Sequence, residues 1–116
     1  MLPNVALWIG AVYSLREKGA LESAPFTTAL LLAHSQVENL RVEQTRAEFV
    51  NSVPSAASTT YRSLNLLVAV GLVRFLDLGN SGEVIELTFP EDLQILEVYK
   101  AVPPLFARGG FLAVRG

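Results

Sequence analysis

Ser55, Ser58, Thr59, Tyr61 and Arg62 crowd hydroxyls and a guanidinium into one short stretch, directly ahead of the apolar run Leu64, Leu66, Leu67 and Val68. Such groups form directional hydrogen bonds, but a hydroxyl becomes a nucleophile only beside a base. The chain has one histidine, His34, and no cysteine. His34 falls on an apolar helical stretch and reads as an ordinary packed or half-exposed residue, so no Ser–His–Asp arrangement has support. The lack of cysteine removes disulfides, thiolate metal sites and cysteine nucleophiles together. Glu91-Asp92 is the one adjacent acidic pair, and it reads better as the charged first turn of a helix than as a metal site. Gly109-Gly110 opens no helix, so no phosphate-cradling loop is expected. These residues point away from enzymatic chemistry, with no cofactor and no metal expected.

The elements that must position this stretch follow from periodicity. Pro3-Asn4 precedes Val5, Trp8, Ile9, Val12 and Leu15 at helical spacing, and Gly19 stops that helix behind Arg16 and Lys18. Leu7, Ala11 and Tyr13 make it apolar nearly all round, so burial on two sides is expected, the second most simply by another subunit. Pro25 opens a second helix, expected from Phe26 to about Val37. Leu40 to Glu43 alternates apolar and charged, the mark of a short half-buried strand. Thr45-Arg46-Ala47-Glu48 fits a capping box, which starts a short helix at Thr45 that runs to about Ser52, with Ala47, Phe49 and Val50 inward. After Val53-Pro54, Ser55 is the expected N-cap of a helix that runs to about Ala69 and is stopped by Gly71. Residues 72–78 and 83–89 alternate well enough for a hairpin around Gly79-Asn80-Ser81-Gly82. Pro90-Glu91-Asp92 then starts a last helix over about 91–102, ahead of Pro103-Pro104 and a tail, 103–116, with no clear period.

At 116 residues the chain is expected to form a single domain with one modest core. Charged residues make up 17 % and the mean hydropathy is +0.39, against about 25 % charged residues in an average soluble domain. So apolar a surface suggests self-association. No apolar run approaches the roughly 18 residues that cross a bilayer. Val5 to Leu15 lacks a preceding Lys or Arg and a small-x-small site, so it is a poor leader, and a soluble cytoplasmic protein is expected.

Taken in order, Phe26 to Phe89 gives helix, strand, helix, turn, helix, strand, wing, strand. Thr45-Arg46-Ala47-Glu48-Phe49-Val50 resembles the first helix of the motif in winged helix-turn-helix regulators of the multiple-antibiotic-resistance and arsenical-resistance repressor types. Ser58-Thr59-Thr60-Tyr61-Arg62-Ser63-Leu64, with Leu67 and Gly71-Leu72-Val73, resembles their recognition helix and its exit. The likeness covers somewhat over half of the chain. It implies an α+β, mainly α fold: a winged core over 26–89 with a small antiparallel sheet, and extra terminal helices over 3–19 and 91–102.

The resemblance also implies a dimeric transcription regulator that inserts the helix 55–70 into the major groove of double-stranded DNA. By their spacing, Thr60, Leu64 and Leu67 fall on the core side of that helix, leaving Ser58, Thr59, Tyr61, Arg62 and Asn65 to its other faces. Ser58 and Thr59, with Ser55, would then meet phosphates or base edges near the helix start. Arg62 would contact a guanine, and Tyr61 would reach a phosphate with its hydroxyl or simply pack. Arg41, Thr45, Arg46 and Arg74 complete the footprint, with Asn80 and Ser81 at the wing tip. Ordinary solvent exposure explains the same residues more blandly. Trp8, Val12, Leu15, Leu93, Leu96 and Tyr99 are the residues expected to pair subunits. A small-molecule effector between the terminal helices and the winged core also fits such regulators, lined by Trp8 and Tyr13 or by Tyr99 and Phe106, although aromatics there serve equally as core. Two features depart from the family pattern: the net charge is −2, and the wing carries Asp77, Glu83 and Glu86. The basic footprint is then Arg41, Arg46, Arg62 and Arg74, a set that predicts modest, strongly salt-sensitive binding, and the acidic features keep open a second expectation, a non-catalytic winged helix that grips protein in a larger assembly.

Overall fold

The computed structural model describes residues 3–35 and 37–91, and the expected helix 91–102, with Leu93, Leu96 and Tyr99, and the tail lie outside the described residues. The fold is α+β and mainly helical. Helices α1 (Pro3–Glu17) and α2 (Ser23–His34) come first. Strands β1 (Val37–Glu38) and β2 (Arg41–Val42) follow, then α3 (Arg46–Ser52) and α4 (Ala57–Ala69). Strands β3 (Val73–Asp77) and β4 (Glu83–Leu87) are the last elements among the described residues. An antiparallel sheet of β2, β4 and β3 gains β1 at its edge, in the order β1-β2-β4-β3. Helices followed by a small antiparallel hairpin sheet are compatible with a winged-helix-like topology.

Helix α1 is apolar because it is core. Val5, Ala6, Trp8, Ile9, Ala11 and Val12 are each at most 3 % exposed within one copy of the chain. Of the residues that widen its apolar face, Ala11 is buried too, whereas Leu7 and Tyr13 are half-buried. The Trp8 indole N–H donates to the Leu72 carbonyl at 2.9 Å, which fastens α1 to the chain leaving α4. Tyr13 packs edge-on against Phe26, with ring centroids 5.1 Å apart. With Trp8 wholly enclosed and Tyr13 stacked, both serve the core and neither is placed as an effector lining.

Helix α2 starts three residues before the expected Phe26. Pro25 sits in its first turn, where a missing N–H costs nothing, and Phe26 N–H donates to Glu22 O at 3.1 Å. Pro25, Thr28, Ala29, Leu32 and Ala33 are its buried stripe. It ends at His34, which is exposed, and not at Val37. Val37 is taken instead by a strand pairing with Val42, while Glu38 pairs with Arg41. The two residues between those strands, Asn39 and Leu40, have φ of 54° and 60°, the left-handed pair that closes a two-residue hairpin.

Both glycine stops hold for one reason. At Gly19, φ is 79°, and Ala20 N–H reaches back to Leu15 O at 2.9 Å. At Gly71, φ is 85°, Gly71 N–H donates to Val68 O at 3.0 Å and Leu72 N–H to Leu67 O at 3.0 Å. This is the paired 5→2 and 6→1 bonding of a Schellman cap. The capping box of α3 is complete: Glu48 N–H donates to Thr45 Oγ1 at 3.1 Å, and Thr45 N–H to Glu48 Oε1 at 2.9 Å. Phe49 and Val50 are buried as expected, but Ala47 is exposed. A seven-residue helix packed on one side has no room for a third inward position. At α4 the expected cap is displaced by one: Ala56 is the N-cap, no side chain caps the helix, and Ser55 is exposed.

Candidate functional site

Helix α4 presents two faces. Thr60, Ser63, Leu64 and Leu67 are buried, with the Thr60 hydroxyl donating to Ala56 O at 3.1 Å, which satisfies it inside the helix. Ser58, Tyr61, Arg62 and Asn65 are exposed, and Thr59 is half-buried. Their spacing of three and four puts them on the side away from the core. Among the described residues Arg62 has no hydrogen-bond or ion-pair partner, and its guanidinium is open to solvent.

Beside this face runs an open groove of about 320 Å³, lined by Thr45, Arg46, Ala47, Tyr61 and Glu83. Arg46 is held in it. Its Nε and Nη2 donate to the two Glu83 carboxylate oxygens at 3.0 Å each, and its backbone N–H donates to Oε1 at 3.1 Å. The guanidinium also lies over the Phe75 ring, 4.5 Å from the centroid. The Glu83 hydrogen bond pushes the Arg46 pKa up, and the same bond holds the Glu83 carboxyl below its usual range. Both groups stay charged at neutral pH.

Arg41 and Arg74 stand elsewhere. In the sheet, Arg41 pairs with Glu86 and Arg74 pairs with the same Glu86 from the other side. Their neighbours Val42, Ile85 and Phe75 face the core, so alternation sends the charged row to the opposite face. There Arg74 Nε donates to Glu86 Oε1 at 2.9 Å, with its Nη2 on the same oxygen, and Arg41 Nε lies 3.7 Å from Oε2. Leu76 and Val84 pair across the strands on that side, outside the main core. The four arginines expected to form one footprint are thus divided, two beside α4 and two behind the sheet.

The wing tip is a short 3-10 turn, Gly79–Ser81, containing Asn80, which is exposed, and Ser81. Asp77, expected only as an unwelcome charge, builds this turn: its Oδ1 accepts from Gly79 N–H at 2.8 Å. Of the residues expected to pair subunits, Trp8 and Val12 are fully buried in the chain's own core and cannot meet a partner in this arrangement; Leu15 is half-buried.

The sequence reading missed that Glu83 and Glu86 have fixed basic partners. The signal was present in strand parity, since residues 83 and 86 must face opposite ways, but the partners are about 12 to 45 positions away along the chain. A second hollow of about 360 Å³, between the end of α2 and α3, is lined by Ser35, Val42, Glu43, Gln44, Glu48 and Ser52. Its two hydroxyls donate to Leu31 O and Phe49 O, and Glu48 belongs to the capping box. Among the described residues no group of three His, Asp or Glu could hold a metal, and no helix is long and apolar enough to cross a membrane. No family model, no curated protein and no solved structure matches this chain.

Proposed function

We propose that the chain is a DNA-binding transcription regulator of winged helix-turn-helix type, acting as a dimer that lays α4 in the major groove. One observation carries this reading: the side of α4 away from the core bears Ser58, Tyr61, Arg62 and Asn65, all exposed, with an arginine unpartnered among the described residues, beside an antiparallel hairpin. Short polar side chains at the start of the helix let its axis approach a groove floor, and the uncapped first turn leaves N–H groups facing outward. Arg62 offers a planar fork suited to guanine O6 and N7. In a dimer the two α4 helices would lie about one duplex turn apart, roughly 34 Å, each over a half-site. The reading places the protein in the cytoplasm.

Selection of bound duplexes from a random pool tests this, followed by the variant Arg62→Ala. A selected motif is expected, and Arg62→Ala is expected to weaken that site by about 1–3 kcal/mol while barely changing affinity for random duplex. Equal losses on both count against a base contact.

A second reading, a protein-gripping module, is favoured by the ion-paired sheet face, where Glu86 already engages both Arg41 and Arg74. A gel-shift series across salt separates the two, because only phosphate binding gives a duplex complex whose affinity falls with salt, whereas a protein-gripping module gives none.

A further inference from the structure

We propose that Glu83 is an internal competitor for the phosphate that Arg46 would otherwise take, so that the wing itself limits how tightly the α4 face holds nucleic acid. This rests on the reading of the α4 face as a nucleic-acid surface and names a regulator of it.

A carboxylate and a phosphate present an arginine fork with the same pair of acceptor oxygens. Glu83 fills both positions, at Nε and Nη2, each at 3.0 Å. The guanidinium is already placed for an outside ligand: Phe75 supports it from below at 4.5 Å, and the open groove with Tyr61 lies in front. Strand parity makes Glu83 the wing carboxylate that reaches the helix side, whereas Glu86 faces away. The pair is also wet, with side chains 44 % and 24 % exposed. Ion pairs so exposed are held weakly, and a polyanion can exchange for one partner. After the exchange Glu83 stands beside phosphates and repels them. Both the lost ion pair and the repulsion lower affinity, and both end when the glutamate charge is removed.

The test compares wild type, Glu83→Gln, Arg46→Ala and the double variant on a mixed-sequence duplex, by fluorescence anisotropy across a salt series. Glutamine keeps the shape and can still accept from the Arg46 backbone N–H. Glu83→Gln is expected to bind about tenfold more tightly at low salt. Its plot of log affinity against log salt is expected to steepen by about 0.9 per copy, one added phosphate contact. Arg46→Ala alone is expected to change affinity by less than about twofold, since that arginine is already engaged. In the Glu83→Gln background it is expected to return the salt slope to the wild-type value and to remove the part of the gain due to the added phosphate contact, leaving only the part due to lost repulsion. Circular dichroism checks each fold, and Glu83→Ala reports the same release should the glutamine variant misfold. If wild type binds and Glu83→Gln binds no tighter, the competitor role is overturned while the α4 reading stands. If neither binds at any salt, the α4 reading fails and the competitor role fails with it.

Discussion

Arginine position along the chain is a poor guide to what an arginine does. Arg46 and Arg62 are 16 positions apart and both adjoin the α4 face, yet one is engaged at three hydrogen bonds and the other is unpartnered among the described residues. The Arg46–Glu83 pair has a defined acid dependence. Its hydrogen bond lowers the Glu83 carboxyl below the ordinary value of 4.5 that applies to the unfolded chain. The pair therefore stabilises the fold above that value, and its contribution is lost as pH falls through the lower folded value. Urea midpoints of wild type and Glu83→Gln should differ at neutral pH, by less than about 1 kcal/mol for so exposed a pair, and converge in strong acid. Identical midpoints at every pH would show that the pair contributes nothing. Trp8 is a buried counterpart. Trp8→Phe removes the indole donor to Leu72 O, which keeps its bond from Thr88 N–H at 2.8 Å. A loss of about 1 kcal/mol is expected from the hydrogen bond, plus a smaller packing loss, read from the shift in urea midpoint.

At the scale of elements, local chemistry was legible and long-range competition was not. The capping box at Thr45 and the glycine stops at Gly19 and Gly71 concern groups within six residues of one another, so the chain spells them out. Thr45→Ala should cost about 1 kcal/mol by removing the acceptor for Glu48 N–H, again read from the urea midpoint. Gly71→Ala should cost at least as much. Its φ of 85° strains any side chain, and a Cβ there would stand 3.2 Å from Pro90 Cα. By contrast, the end of α2 was misjudged because Val37 prefers a partner, Val42, that the helical pattern does not show. Ala47 was misjudged because helical periodicity gives a face but does not say how much of that face is covered.

The whole molecule sets what a duplex can meet. With Arg41 and Arg74 behind the sheet and Arg46 clamped, the α4 side offers one unpartnered cation per copy among the described residues. A salt slope for wild type near that of one or two phosphate contacts per copy is expected, shallow for a DNA binder. A slope of eight or more would contradict the division of the arginines between two faces. Mass in solution belongs to the same scale. Twice the 12.6 kDa of one chain is expected, and a species of one copy at binding concentrations would remove the paired half-site geometry.

By itself the amino-acid sequence determined the order of the four helices and of strands β2, β3 and β4 among the described residues, the two glycine stops, the α3 cap and the inward positions Thr60, Leu64 and Leu67. Each depends on contacts close along the chain or on the repeat of a single helix. Only the tertiary structure decided that Trp8 and Val12 of α1 are enclosed by their own chain, that β1 exists, and that two carboxylates, Glu83 and Glu86, pair with three of the four arginines. Those outcomes require residues up to 64 positions apart to meet, as Trp8 and Leu72 do. Periodicity tells which side of an element turns inward, while the choice of neighbour is made only when the elements pack.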